Sequence, residues 1–289
     1  MVQLIVALTV LSVYLLMVLG GLVTSTGSGL ACPDWPLCYG TVAPPLKLDV
    51  WLEWGHRLLG GITGLLILAS TVLVCRRYRN ASRVTAGATL ALLVGVVVLG
   101  GVVVLVDAPL LRTAWHTLIT SSHIVLSTLI LVSLVFTYAL VRTKDPGTGR
   151  LPFAVPFFAL VGLQSLVGVV VRYSAAGGVC PDFPTCQGMW VPPLESFQIL
   201  VHLGHRILAV AVFVFAAAVL IKKPSALTAL TFGIVAAQAA WGVLSVLTGL
   251  FLPVVFLHIA TGFFLIGWTA YHAAPALFFP PLIARSASA

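Results

Sequence analysis

The sequence predicts an all-α, polytopic membrane protein, with eight transmembrane helices arranged as two parallel-repeat four-helix bundles. Three observations carry this prediction. Of 289 residues, 60% are hydrophobic and only 8% charged, whereas a soluble domain carries about 25% charged residues. The apolar residues fall into eight runs, each long enough to cross a hydrocarbon layer of roughly 30 Å. Finally, the chain writes one segment twice. Cys32 and Cys180, Cys38 and Cys186, Pro44 and Pro192, and Pro45 and Pro193 are each 148 positions apart, and His56 and His205 are 149 apart. A spacing held this closely signals a duplicated architecture.

The spans fall at about 3–25, 51–75, 85–106, 117–141, 152–174, 197–221, 226–249 and 252–274. The loops after spans 1 and 5 (26–50 and 175–196) are long and carry the cysteines. The segment Lys144–Arg150 is the natural joint, giving an N-terminal half of 1–145 and a C-terminal half of 146–289. Spans 1 and 5 enter from the same side, so the halves repeat in parallel about an axis along the membrane normal. A four-helix bundle is a scaffold that holds cofactors between facing helices. Gly60, Gly64 and the Gly100–Gly101 pair are expected to let helices approach closely.

Charge sets the orientation. Arg76, Arg77, Arg79, Arg83, Arg142, Lys144, Arg150, Lys222, Lys223 and Arg285 fall in alternate short loops or the tail, while Asp34, Asp49, Asp107, Asp182 and Glu195 lie in the opposite loops. This positive-inside bias places the basic loops and both termini in the cytoplasm, and the cysteine loops outside. It also accounts for the net charge of +8 without a nucleic-acid surface. The first apolar run lacks a charged n-region and a small-residue cleavage site, so it is expected to remain as a helix.

Histidine depth points to a cofactor. His56 lies 19 residues from Cys75, His123 18 from Val141, His205 16 from Ile221 and His258 16 from Ala274. At 1.5 Å per residue all four stand roughly 24–28 Å above the cytoplasmic ends of spans 2, 4, 6 and 8. Each half thus supplies two imidazoles at one level, the arrangement of axial ligands on the two faces of a haem iron. The competing reading is four histidines that bond to neighbouring helices or sit in the wet interface. A Zn or Cu site would call for a third or fourth ligand. His116 and His272 read as interfacial.

Glu53 precedes His56 by three residues, on the same helix face; the equivalent residue in the second half is His202. A carboxylate near one site can move protons, so the first half is expected to do chemistry and the second to hold a permanent cofactor. The alternative for Glu53 is a cap at the start of span 2. Arg57 and Arg206 follow the histidines directly and could pair with haem propionates or snorkel outward. The C-x5-C pairs Cys32/Cys38 and Cys180/Cys186 are expected to form disulfides in an oxidising compartment, stapling the loops as lids or serving as redox centres. Cys75 reads as a free thiol.

Together, C-P-D-W-P-L-C after T-G-S-G-L, the E-x-x-H-R of Glu53–Arg57 and single histidines in spans 4, 6 and 8 resemble the haem A synthase family over essentially the whole chain. The resemblance implies oxidation of the C8 methyl of haem O to the formyl of haem A, for terminal oxidases. It places His56 and His123 on the substrate haem and makes Glu53 the catalytic carboxylate. It places His205 and His258 on a haem b that carries electrons. Cys32 and Cys38 match the family's loop pair; Cys180 and Cys186 have counterparts in only some members. The implied partners are the lipid bilayer, an electron donor and the farnesyltransferase that makes haem O, with a homo-oligomer allowed. Two other readings stand beside it: a bis-histidine di-haem b electron-transfer cytochrome, and a membrane thiol oxidoreductase or haem carrier.

Overall fold

The computed structural model describes residues 1–79, 81–106, 114–143, 151 and 153–279. Among them are eight long helices: α1 (Val2–Ser25), α2 (Leu48–Arg77), α3 (Ala81–Val106), α4 (Ala114–Arg142), α5 (Ala154–Tyr173), α6 (Phe197–Lys222), α7 (Ala226–Leu247) and α8 (Leu252–Phe278). All eight are long and apolar enough to cross a membrane. The expected joint Lys144–Arg150, together with Asp107 and Arg285, lies outside the described residues, as does the side chain of His116.

Apolar side chains cover the outside as well as the inside. Leu4, Leu8, Leu11 and Leu15 form an exposed stripe along α1, at the spacing of one helix face. In water such a row would be a liability; in hydrocarbon it is ordinary surface, because every helical backbone group is satisfied within its own segment.

The termini follow local chemistry. Ser196 accepts from the Ile199 N–H at the start of α6, and Ser225 with Thr228 forms a reciprocal capping box at the start of α7. Helix α2 has Asp49 in its first turn and Arg76 and Arg77 in its last, matching the helix dipole at both ends. It begins three residues earlier than the apolar pattern suggests. Glu53 therefore lies inside the helix rather than at its cap, and the N-cap residue Lys47 makes no side-chain capping bond.

Helix α1 packs on α2 and α4, α2 on α3, and α3 on α4; α5 packs on α6 and α8, α6 on α7, and α7 on α8. Across these two groups α4 meets α5 and α8, and α1 meets α8. The largest apolar cluster lies along that seam, with Ile130, Leu131, Leu134 and Val135 of α4 against Leu265, Ile266 and Ala270 of α8. Helix α4 is the most enclosed, with 56% of its apolar window buried. Polar ties fix the seam at several heights. Tyr14 donates to the Ala260 carbonyl at 3.2 Å, Thr117 to the Tyr173 carbonyl at 3.0 Å, and Arg172 to the hydroxyl of Ser25 at 2.7 Å.

Candidate functional site

The two cysteine loops adopt one structure twice. Disulfides join Cys32 to Cys38 and Cys180 to Cys186, while Cys75 is a free, half-buried thiol. Each loop has a cis X-Pro bond, Trp35–Pro36 and Phe183–Pro184. Each closes with a short bridge, Cys38 with Thr41 and Cys186 with Met189. Tyr39–Gly40 and Gln187–Gly188 turn through positive φ.

One aspartate braces each turn. Asp34 accepts from the N–H groups of Tyr39 (2.6 Å) and Gly40 (2.7 Å); Asp182 accepts from Gln187 (2.6 Å), Gly188 (2.8 Å) and the Thr185 hydroxyl. These donors favour the charged form. The Gly40 N–H above all, aided by that of Tyr39, holds the Asp34 carboxyl below the ordinary carboxylate range. The Thr185 hydroxyl, then the Gly188 and Gln187 N–H groups, do the same for Asp182.

The helices below grip these loops with the residues flanking the histidines. Arg57 donates to the carbonyls of Asp34 (2.6 Å) and Leu37 and forms an ion pair with Glu53. The other oxygen of Glu53 accepts the Cys32 N–H at 2.7 Å. In the second copy Arg206 donates to the carbonyls of Thr185 (2.7 Å), Asp182 (2.9 Å) and Cys180 (3.0 Å). His202, which replaces Glu53, lies with its Nδ1 2.8 Å from the Ala176 carbonyl. Both arginines thus have their N–H groups turned to loop carbonyls, a use the sequence did not suggest. Trp35 rests on Gly101 of α3, where an added Cβ would meet the indole at 3.5 Å. The first loop therefore roofs the helix next to His123.

Beneath the loops lie the four histidines, on α2, α4, α6 and α8. His205 and His258 face each other with ring centroids 6.4 Å apart and planes at 83°. The His56 ring lies against Gly20 of α1 and the His123 ring against Gly100 of α3. The Nδ1 atoms of His56, His123 and His205 are buried without a hydrogen-bond partner, whereas His258 Nδ1 lies 3.1 Å from the Gln238 carbonyl. Two glutamines that the sequence reading passed over adjoin the second pair. Gln164 places its amide nitrogen 3.3 Å from His205 Nε2, and the amide oxygens of Gln164 and Gln238 are buried and unpartnered. His272 stands apart from the four, its ring against Trp268 and Tyr271 at 4.7 and 5.2 Å.

The glycines expected at helix contacts meet side chains of the neighbouring elements. Gly60 and Gly64 meet only side-chain ends, Leu16 at 4.0 Å and Leu93 at 3.8 Å, while Gly100 and Gly101 adjoin the rings of His123 and Trp35. Aromatic rings, not helix backbones, occupy the space beside that pair.

The donor set fits porphyrin iron. Metal–nitrogen bonds of about 2 Å on both faces would set two imidazole centroids roughly 6 Å apart, close to the observed His205–His258 separation. Among the described residues no three His, Cys, Asp or Glu side chains come together as a metal cluster; the histidines come in pairs. A fold of eight helices long and apolar enough to cross a membrane, with buried imidazoles under braced loops, defines a class, the polytopic membrane proteins with intramembrane histidines.

Comparison with known proteins gives the family. The family model COX15-CtaA, described as cytochrome oxidase assembly protein, matches residues 3–270, and the chain belongs to that family. Among its relatives is a Heme A synthase of Bacillus licheniformis, 29% identical over 228 residues, covering 73% of this chain and 72% of the relative. A Heme A synthase of Shouchella clausii is 30% identical over 214 residues, covering 70% and 69%. One of Exiguobacterium sibiricum is 28% identical over 291 residues, covering 92% and 93%.

Proposed function

We propose that this chain is a haem A synthase, a membrane oxidoreductase that converts the C8 methyl of haem O to the formyl of haem A. The N-terminal half, 1–145, receives the substrate haem between His56 and His123. The C-terminal half, 146–289, holds a resident haem b between His205 and His258. What supports this reading is the facing pair His205 and His258 in one half, and Glu53 one helical turn before His56 in the other, in a chain whose relatives bear that name.

When bound, the resident haem supplies one-electron transfer. His205 and His258 would hold it, and the Gln238 carbonyl beside His258 Nδ1 would keep that ring's proton on Nδ1. His56 and His123 orient the substrate porphyrin so that its methyl group is presented at a fixed place. Glu53 is the proton acceptor. Arg57 and the Cys32 N–H each occupy one of its oxygens, and an ionised carboxylate retains further lone pairs for a substrate proton. His202, in the equivalent place, has its Nδ1 against the Ala176 carbonyl and brings no carboxylate to the second half.

Arg57 and Arg206 act first as clamps on the disulfide loops, which exclude water from the sites below. A propionate contact would draw on N–H groups left over from those bonds. In the orientation that the basic ends of α2, α4 and α6 favour, both termini are cytoplasmic and the cysteine loops face outward. Haem O is insoluble in water, so direct hand-over from the farnesyltransferase that makes it is the expected supply route.

The comparisons favour neither the di-haem electron-transfer cytochrome nor the thiol oxidoreductase. Expression with haem O in a host lacking its own haem A synthase tests the proposal: haem A should appear with the parent chain and fail with Glu53→Ala. Haem A formation at the parental rate by Glu53→Ala would overturn the catalytic assignment.

A further inference from the structure

Each of the four histidines lies against a glycine on the helix that precedes its own. Gly20 of α1 faces His56, Gly100 of α3 faces His123, Gly168 of α5 faces His205 and Gly242 of α7 faces His258. A Cβ built on Gly20, Gly168 or Gly242 would lie 2.9, 3.0 or 3.0 Å from the ring's Cε1, and one on Gly100 would lie at 3.5 Å. Carbon atoms rest about 3.5–4.0 Å apart, so at three positions any side chain would push the ring aside.

The contact is the same at every site. Cε1 is nearest and Nδ1 next, at 3.4, 3.9, 3.5 and 3.5 Å for Gly20, Gly100, Gly168 and Gly242. Where Nε2 comes within range it is the farthest of the three, at 3.6, 4.0 and 3.8 Å for Gly20, Gly168 and Gly242. The ring therefore meets the glycine with its Cε1–Nδ1 edge.

At the His258 site the backbone carbonyl four residues before the glycine completes the seat: the Gln238 carbonyl lies 3.1 Å from Nδ1, whereas the Nδ1 atoms of His56, His123 and His205 have no hydrogen-bond partner. In a helix this carbonyl already accepts the glycine's own N–H, and its second lone pair is free for the ring.

We propose that Gly20, Gly100, Gly168 and Gly242 are positioning residues. Each presents bare backbone to the Cε1–Nδ1 edge of one imidazole, fixing the ring plane and leaving Nε2 aimed at iron. This rests on the reading of the four histidines as ligands. A glycine inside a helix costs about 0.5–1 kcal/mol relative to alanine. Helix propensity alone would thus make each alanine replacement neutral or stabilising, opposite to the effect expected of a seat.

The test uses the purified full chain with its haem. Gly168→Ala and Gly242→Ala are compared with Gly233→Ala on α7, where an added Cβ meets nothing within 4 Å. Haem b per chain, the electron paramagnetic resonance g-values of the low-spin iron and its midpoint potential are recorded. The two seat variants should hold haem b about ten- to a hundredfold more weakly, the range for residues that orient a metal ligand, with shifted g-values in whatever haem remains. Gly233→Ala should match the parent. In the first half Gly20→Ala should disturb substrate-haem binding more than Gly100→Ala.

Parental haem content, g-values and potential in both Gly168→Ala and Gly242→Ala overturn the proposal. So does failure of both to accumulate while Gly233→Ala accumulates normally, since a residue that only orients a ring is not needed for insertion. His205→Ala separates this proposal from the one beneath it. Haem b kept at parental level and spectrum in His205→Ala would sink the ligand reading itself. Haem lost there but unaltered in the alanine-for-glycine variants would sink the seats alone.

Discussion

The carboxylate of Glu53 and the backbone N–H of Cys32 are joined by a 2.7 Å hydrogen bond, which ties the first disulfide loop to the helix that carries His56. Glu53 thereby has two tasks, and two substitutions separate them. Glu53→Ala strands a buried N–H and the Arg57 guanidinium, at a cost of about 2–4 kcal/mol, read as a lowered unfolding midpoint in detergent. Glu53→Gln retains a neutral acceptor and should restore much of that stability without restoring haem A formation. A glutamine variant as active as the parent would remove the proton role.

The two imidazole pairs should fail independently. His205→Ala and His258→Ala are each expected to abolish the low-spin haem b signal in optical and resonance spectra. His56→Ala and His123→Ala should leave that signal intact while preventing haem O from binding. A low-spin haem b that disappears in His56→Ala and His123→Ala and survives in His205→Ala and His258→Ala would reverse the assignment of the halves.

The disulfides hold short loops, each with a sequence separation of 6. Closing a loop of that length contributes about 2 kcal/mol. Serine pairs at Cys32 and Cys38, or at Cys180 and Cys186, should therefore lower stability by roughly that amount and leave haem b bound. A serine-paired protein of parental stability and haem content that makes no haem A would assign the cysteines a redox role instead.

Acid should loosen the loops. The carboxyls of Asp34 and Asp182 are held below their ordinary range by turn N–H groups and, for Asp182, the Thr185 hydroxyl. A lowered folded-state value means the brace is at full strength above the unfolded value of about 4 and is lost as pH falls through the folded one. Reduction of the disulfides by a phosphine should accelerate below about pH 4. In Asp34→Asn the first loop should be reduced quickly at every pH, with no acid step of its own.

Much of this was legible in the sequence because it is written in periodicity and depth. Eight apolar runs gave eight helices, and counting along spans 2, 4, 6 and 8 singled out the four histidines. The start of α2 was less legible, since Lys47 and Asp49 look like loop but suit the first turn of a helix. The loop grip of Arg57 and Arg206 was hidden because their partners are backbone carbonyls, which no side-chain pattern reveals. The aspartates of the two C-P-D motifs did carry a signal, as each stands five and six residues before the turn it braces. The glycine seats were masked by abundance. With 26 glycines, Gly20 and Gly168 look like packing residues until the rings are seen against them. Gln164 and Gln238 are polar residues within apolar helices, and that alone could have marked them.

The most direct measurement is of the haems themselves. Acid extraction of the purified chain, with the haems separated by chromatography and identified by mass, should yield haem b together with haem O or haem A. Haem b alone, at two per chain, would contradict a synthase and leave an electron-transfer cytochrome in its place.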